Sequence, residues 1–440
     1  MSQDSKLKYV LIIPDGAADE ARASGRSPLS MARTHYSDFL AREGVSGLMQ
    51  TLYNDLPKES IVAQLGMLGW DPHRYYPHGR ASCELLALEG VHLNDADLAF
   101  RANLVSMEDG VLTSYNARYI LSEDAHPLIR KLNRELHEEF SDFELYHNSD
   151  FRNTLVIRDA DIDPRLLDCP EPHESHGVRF EIDNLIKGKD KKSSAAARRI
   201  NQYLLRVSQL LGDGQANMLL PWSASKVLSL PQFSANTGFE GKVGVVGAMD
   251  FLQGIAKAGG IETFKVGNGR PDTDFRAKGR KVVKLLSSDF GFVVCHINAP
   301  DEAAHMGDLE LKIKSIELID EYIVRPVVEY FLRRPDELGG VMIVPDHYTN
   351  SRAHVNNLKR IDVHSIHPVP FALWNHQDRD EVRYFCEEDA AKGKYGQSPV
   401  SHLDLLTILG IKSTASAAAA GRKMAESVQS DDGLSALIIG

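Results

Sequence analysis

The chain has 440 residues, of which 43% are hydrophobic and 25% charged, the balance of an ordinary globular protein. That is enough for two or three domains, or for one large domain carrying an insertion. A formal net charge of −11 argues against a nucleic-acid binder, whose mark is a basic surplus, while a local pocket of cations can still hold a phosphorylated ligand.

The start, Met1 to Lys8, is polar, without the apolar stretch of a signal peptide, and no run approaches the roughly 20 apolar residues of a membrane span. Lys8 to Pro14 (KYVLIIP) reads as a short buried strand ended by Pro-Asp-Gly. From about His78 to Gln232 the apolar runs shorten and charge rises. Within that stretch Lys187–Arg199 is basic and rich in Ser and Ala, which predicts a solvated loop leading into a helix. Gly241–Gly247, Phe290–Ile297 and Gly340–Pro345 again read as buried strands, each followed by polar or small residues and a helical pattern. Leu309 to Leu332 carries apolar residues at helical spacing, and Val369–Trp374 reads as a further strand. Strands alternating with helices predict an α/β fold, a mostly parallel sheet with helices on both faces. Residues 1–77 and 233–412 form this discontinuous domain in our reading, 78–232 form a smaller inserted α+β domain, and 413–440 form an Ala- and Ser-rich tail. The four cysteines, Cys83, Cys169, Cys295 and Cys386, are scattered with no CxxC pair, which points to reduced thiols in a cytoplasmic protein.

In such sheets ligands bind beyond the carboxyl ends of the strands. The first strand ends on Asp15. The third ends in NAPDEAAH, placing Asp301 and His305 four apart, on one face if that segment is helical. The fourth ends in Asp346-His347, and His364 and His367 follow ahead of Val369–Trp374. Taken singly, an aspartate after a strand is ordinarily a cap or turn former, and a DxxxH pair a solvated helix face. Three strand ends meeting at one edge change the reading, because mixed carboxylates and imidazoles suit Mn²⁺ or Zn²⁺. Two such ions clamp the attacking and leaving oxygens of a phosphoryl displacement.

The stretches LIIPDGAAD, QLGMLGWDPHRYY, DLAFRANL, HINAPDEAAHMGDLELKIKSIELIDE, VMIVPDHYTN and HPVPF resemble the archaeal-type cofactor-independent phosphoglycerate mutases of the alkaline phosphatase superfamily, over roughly residues 8 to 410. The resemblance implies an alkaline-phosphatase-like metal domain with a smaller inserted substrate domain. It implies two divalent metal ions, with Mn²⁺ favoured over Zn²⁺ or Mg²⁺. One would be held by Asp301, His305 and His364, the other by Asp15, Ser60, Asp346 and His347. His364 is preferred to His367 because the family's ligand lies four residues before the Pro of the PVP motif. The nucleophile implied is Ser60, which read alone would be a helix N-cap. Arg101 and Asn103 match a family segment on the inserted domain. Arg118 and Arg152 are further cationic clamps for a small phosphorylated carboxylic acid, and Lys278 would offset charge on the transferring group. His173 and His176 are expected to be structural or cleft-lining.

The nucleophile stretch departs from the family's pattern. An acidic residue is replaced by Ile61 and a histidine by Gln64, and no Arg-rich motif appears at Leu220–Lys226. The leading expectation is interconversion of 3-phosphoglycerate and 2-phosphoglycerate through a phosphoserine. The alternatives are a related phosphatase, a phosphonate-processing enzyme or another phosphotransferase, and a catalytically dead relative acting by binding. No nucleic-acid or membrane partner is expected, and the oligomeric state is left open.

Overall fold

Why Lys8–Pro14 forms a strand is plain from its surroundings: Val10 through Ile13 are completely buried between two neighbours that pair with it in parallel, Phe290–Ile297 and Leu338–Ile343. A strand covered on both faces needs an unbroken apolar run rather than an alternating one. The computed structural model describes residues 7–88, 90–172, 175–351 and 363–412. His173 and the tail at 413–440 lie outside the described residues.

Contacts divide the chain into two compact units. The first comprises residues 1–74, 230–249 and 259–440. Its sheet has eight strands, in the order Glu262–Lys265, Lys242–Gly247, Phe290–Ile297, Lys8–Pro14, Leu338–Ile343, Val369–Trp374, Val45–Gln50 and Tyr395–Ser401. The first five run parallel. Val369–Trp374 runs antiparallel to both its neighbours, and Tyr395–Ser401 is parallel to Val45–Gln50. The sheet is therefore the mostly parallel α/β sheet that the alternation of elements predicts. Leu309–Leu332 is helical throughout, with one wide π turn at Asp320–Val324.

The second unit comprises residues 75–229 and 250–258. Its strands are antiparallel, with Leu98–Glu108 paired to Arg152–Ile157 on one side and to Met218–Ser225 and Val111–Ser114 on the other, and Phe143–Ser149 beyond Arg152–Ile157. Helices Ser122–Leu136 and Lys191–Leu211 bury Ala125, Ile129, Leu132, Ile200, Tyr203 and Leu204 in its core. A smaller cluster of Ala81, Leu85, Ala99 and Val156 sits apart from that core. Lys187–Arg199 leads into a helix as predicted, but its first residues are a short strand rather than a loop and the helix takes up most of the stretch. Lys187–Gly188 pairs with Leu167–Asp168, and the helix begins at Lys191, because Asp190 and Ser193 satisfy each other's backbone N–H groups in a capping box. His176, expected to be structural or cleft-lining, is exposed.

Among the described residues no helix is long and apolar enough to cross a membrane.

Candidate active site

Strand register places the chemistry at one edge of the first unit's sheet. Ile13 pairs with His296 and Ile12 with Ile343, so Asp15, His296 and Asp346 all fall at or just past the carboxyl ends of three adjacent strands. The Asp15 N–H donates to the Ile297 carbonyl at 3.0 Å and the Gly16 N–H to Asp346 Oδ1 at 3.0 Å, which fixes the two strand ends against each other.

Asp301 and His305 lie on the helix Ala299–His305, whose first turn holds Pro300, where its fixed φ suits the helix. Their i, i+4 spacing brings His305 Nε2 to 3.4 Å from Asp301 Oδ2. His364 arrives on the short ladder in which it pairs with Thr349. Its Nε2 lies 3.4 Å from Asp301 Oδ1 and 3.2 Å from His305 Nε2. The other nitrogen of His364 is 2.9 Å from the Lys58 carbonyl. A carbonyl only accepts, so Nδ1 carries a proton, and Nε2, facing Asp301 and His305, is the nitrogen left for a second proton or a cation. Histidines that bind metals are commonly oriented by a contact of this kind. His367, by contrast, is exposed and hydrogen-bonds Ser365 at 2.9 Å.

The second group surrounds Asp15. His347 Nε2 is 3.4 Å from Asp15 Oδ1, 3.6 Å from Asp346 Oδ2 and 3.0 Å from Ser60 Oγ. The sequence reading missed His296, whose Nε2 lies 3.1 Å from Asp15 Oδ2. Donor atoms of Asp15, His296 and Asp346 lie within 4.8 Å of one another, as do those of Asp301, His347 and His364. His347 thus stands between the groups, its ring 4.2 Å from that of His364.

Three buried carboxylates in this space need cations. Burial first, then the charges of Asp346 and Asp301, push the Asp15 carboxyl well above the usual carboxylate range, and among the described residues neither of its oxygens accepts a hydrogen bond. Burial holds the His296 and His347 imidazoles down to about 4, so both are neutral donors. For His364 burial acts the same way, but the hydrogen bond and charge of Asp301 outweigh it and the pKa is raised. Orphaned carboxylate oxygens among neutral imidazoles fit a pair of divalent cations.

Ser60 is the first residue of the helix Ser60–Met67, one place after the cap position at Glu59, so its hydroxyl does not cap the helix and turns to His347 instead. Ile61 is 1% exposed, a packing position rather than one that meets substrate. Gln64 is buried and donates to Asp346 Oδ2 at 3.2 Å. Lys278 is buried, with its pKa lowered by burial, and donates to the His296 carbonyl at 3.3 Å rather than to Ser60.

In the second unit Arg101 is buried, bonds Glu84 at 3.0 Å and lies 4.1 Å over the Trp222 ring. Trp222 in turn donates to Asn103 Oδ1 at 3.1 Å. Arg80, which sequence reasoning missed, shares Glu84 at 3.3 Å; its i, i+4 spacing from Glu84 was the available signal. Burial, opposed by Glu84 and aided by Arg80 and Arg152, lowers the Arg101 pKa to about 10, and its Nη1 has no hydrogen-bond partner among the described residues. Arg152 sits opposite Asn103 and over Phe151. Arg118 does not join this cluster: it is exposed and paired with Glu108.

Comparison with known proteins points to one family. Residues 41–217 match the family model for 2,3-bisphosphoglycerate-independent phosphoglycerate mutase. The protein of that name from Methanothrix thermoacetophila is 34% identical over 92% of this chain and 100% of its own length. That from Methanosarcina barkeri is 33% identical over 92% of this chain and 99% of its own. Among solved structures, a protein from Pyrococcus horikoshii superposes with a TM-score of 0.70 at 24% identity, over 92% of this chain and 96% of its own. The cofactor-independent phosphoglycerate mutase of Thermoplasma acidophilum superposes at 0.61 and 24% identity, over 92% and 98%.

Proposed function

The chain belongs to the 2,3-bisphosphoglycerate-independent phosphoglycerate mutase family, and from that premise we propose that it interconverts 3-phosphoglycerate and 2-phosphoglycerate by way of a phosphoserine at Ser60. The observation that carries the reading is the contact of Ser60 Oγ with His347 Nε2 at 3.0 Å, beside three buried carboxylates at adjacent strand ends.

Asp301, His305 and His364 would hold one divalent ion and Asp15, Asp346, His347 and Ser60 the other, with His296 as an additional donor to the second. Bound there, the ions supply Lewis-acid stabilisation of the transferring phosphoryl group and lower the pKa of the serine hydroxyl. Mixed carboxylate and imidazole donors favour Mn²⁺ or Zn²⁺, and we assign Mn²⁺.

The chain's own residues do the rest. The Ser60 oxygen attacks phosphorus, the bond to the glycerate oxygen breaks, and that oxygen leaves as a hydroxyl after taking up a proton. The glycerate reorients, and its other hydroxyl attacks the phosphoserine, returning the proton to Ser60. Backbone N–H groups at the start of Ser60–Met67 suit the phosphoryl oxygens. Lys278, through the His296 carbonyl, adds a positive charge beside the second donor group. Arg101, Arg152 and Asn103 supply planar and bidentate donors suited to the carboxylate of a small phosphorylated acid. The four unpaired cysteines support a cytoplasmic location.

The test is turnover of 3-phosphoglycerate by Mn²⁺-loaded protein, with 2-phosphoglycerate and free phosphate followed separately and Ser60→Ala as control. Isomer formation that disappears in the variant is the expected result. Phosphate without isomer would make the chain a phosphatase and overturn the mutase reading.

A further inference from the structure

Thr349 touches Asp301 and His347, which the proposed function gives to different metal ions. Its Oγ1 lies 2.7 Å from Asp301 Oδ1 and 3.1 Å from His347 Nδ1, and the residue is fully buried. A hydroxyl carries a single proton. A ligating carboxylate only accepts, so Thr349 donates to Asp301. The second contact then requires His347 Nδ1 to be the donor and Thr349 Oγ1 the acceptor. With its proton on Nδ1, His347 keeps the lone pair on Nε2, the nitrogen 3.0 Å from Ser60 Oγ and 3.4 Å from Asp15 Oδ1.

The threonine itself is held on both sides of its backbone. Its N–H donates to the Ala18 carbonyl at 3.0 Å. Its carbonyl accepts from the buried Lys312 Nζ at 2.7 Å, and the same ammonium bonds Asp19 Oδ2 at 3.1 Å and the Ala18 carbonyl at 3.3 Å. Branching at Cβ restricts χ1, so a fixed backbone gives a fixed hydroxyl.

We propose that Thr349 is a positioning residue common to both metal sites, orienting Asp301 in one and setting the tautomer of His347 in the other. The proposal rests on the metal reading given above. It predicts that removing one hydroxyl weakens two sites together. An outer-shell partner of this kind is typically worth 10- to 100-fold in metal affinity.

Calorimetric titration of the full-length, metal-stripped chain with Mn²⁺ tests it. Wild type is expected to bind two ions. Thr349→Val, which keeps the shape and loses the hydroxyl, is expected to weaken both steps by roughly 10- to 100-fold. Thr349→Ser should restore both to within a few-fold, and His305→Ala should weaken mainly one. Unchanged affinities in Thr349→Val, or a loss confined to one step, overturn the proposal. A wild type that binds no Mn²⁺ removes the metal reading and this proposal with it. A second measurement needs no Thr349 variant. In ¹⁵N imidazole spectra of the metal-free wild type, His347, assigned by its loss in His347→Gln, should be the Nδ1–H tautomer. An Nε2–H tautomer would overturn the assignment even if Thr349→Val failed to fold.

Discussion

Gly16 lies so close to Thr349 that a Cβ at position 16 would run into the threonine hydroxyl and stand 2.7 Å from Oδ1 of Asp301. Its φ of +61° is also one that residues with a side chain rarely adopt. Gly16→Ala should therefore cost about 1–3 kcal/mol of stability through backbone strain. It should also reduce turnover of the metal-loaded protein at least tenfold by displacing the hydroxyl from Asp301. Urea unfolding and a turnover assay read the two effects separately, and a variant matching wild type in both would show that the loop relaxes freely.

Gln64 clamps Asp346 through its amide, and the strand-end N–H of Gly16 holds the other carboxylate oxygen. Gln64→Glu replaces a donor with a fourth carboxylate beside Asp15, Asp301 and Asp346. Like charges at this distance disfavour one another strongly. Activity should fall by roughly 100-fold, about 2.7 kcal/mol in the barrier. Gln64→Leu, which removes the donor without adding charge, should fall less. The ranking of kcat among wild type, Leu and Glu variants is the check.

Arg101 and Arg118 should separate cleanly. Arg101 is buried, paired with Glu84 and stacked on Trp222, and a lysine reproduces neither the planar fork nor the stack. Arg101→Lys should raise KM for 3-phosphoglycerate about tenfold, the equivalent of about 1.4 kcal/mol. Arg118 and its partner Glu108 are exposed, and exposed pairs contribute little. Arg118→Ala should leave kcat and KM within about twofold of wild type, inside the range expected for a surface pair.

Stability should fall on acidification, and the sign follows from His402. Burial lowers this imidazole from 6.5 to about 4 in the folded chain. Between those values the unfolded chain takes up a proton that the folded chain refuses, so the contribution is complete above pH 6.5 and is lost as pH drops toward 4. One such group contributes a slope of up to about 1.4 kcal/mol per pH unit in that window. Urea midpoints of the metal-free protein measured across the window should show the fall. His402→Leu should make the fall shallower by one group's share, because His296 and His347, also held down to about 4, contribute the same sign.

The parts of the fold that could be read from the sequence were those buried on both faces. KYVLIIP, FGFVVCHI and VPFALW are apolar from end to end because the sheet covers them from both sides, and the observed strands coincide with those runs. Val45–Gln50, Glu262–Lys265 and Tyr395–Ser401 carry glycine or polar residues near the sheet's edges, and their pattern alone does not distinguish them from loops. The same logic explains the site. Asp15, Asp301 and Asp346 were visible because a carboxylate after an apolar strand stands out. His296 was not, because within FGFVVCHI a histidine reads as one more core residue. Its meaning comes from the pairing of Ile13 with His296, a long-range register that no local pattern encodes. Thr349 was hidden for a similar reason, since its partners are 48 positions away at Asp301 and two away at His347.

The central strand Lys8–Pro14 has one more consequence, and it concerns synthesis. Both strands that cover the edges of this segment, Phe290–Ile297 and Leu338–Ile343, are made long after it. The second unit, by contrast, is almost continuous in sequence and complete but for residues 250–258 by the time residue 229 emerges. Domains fold as they are completed, so the middle of this chain takes shape while this apolar strand still waits for partners. A nascent chain of this design carries an exposed sticky segment until residues 290–343 have been made, and that segment is where a chaperone on the ribosome would have the most to protect.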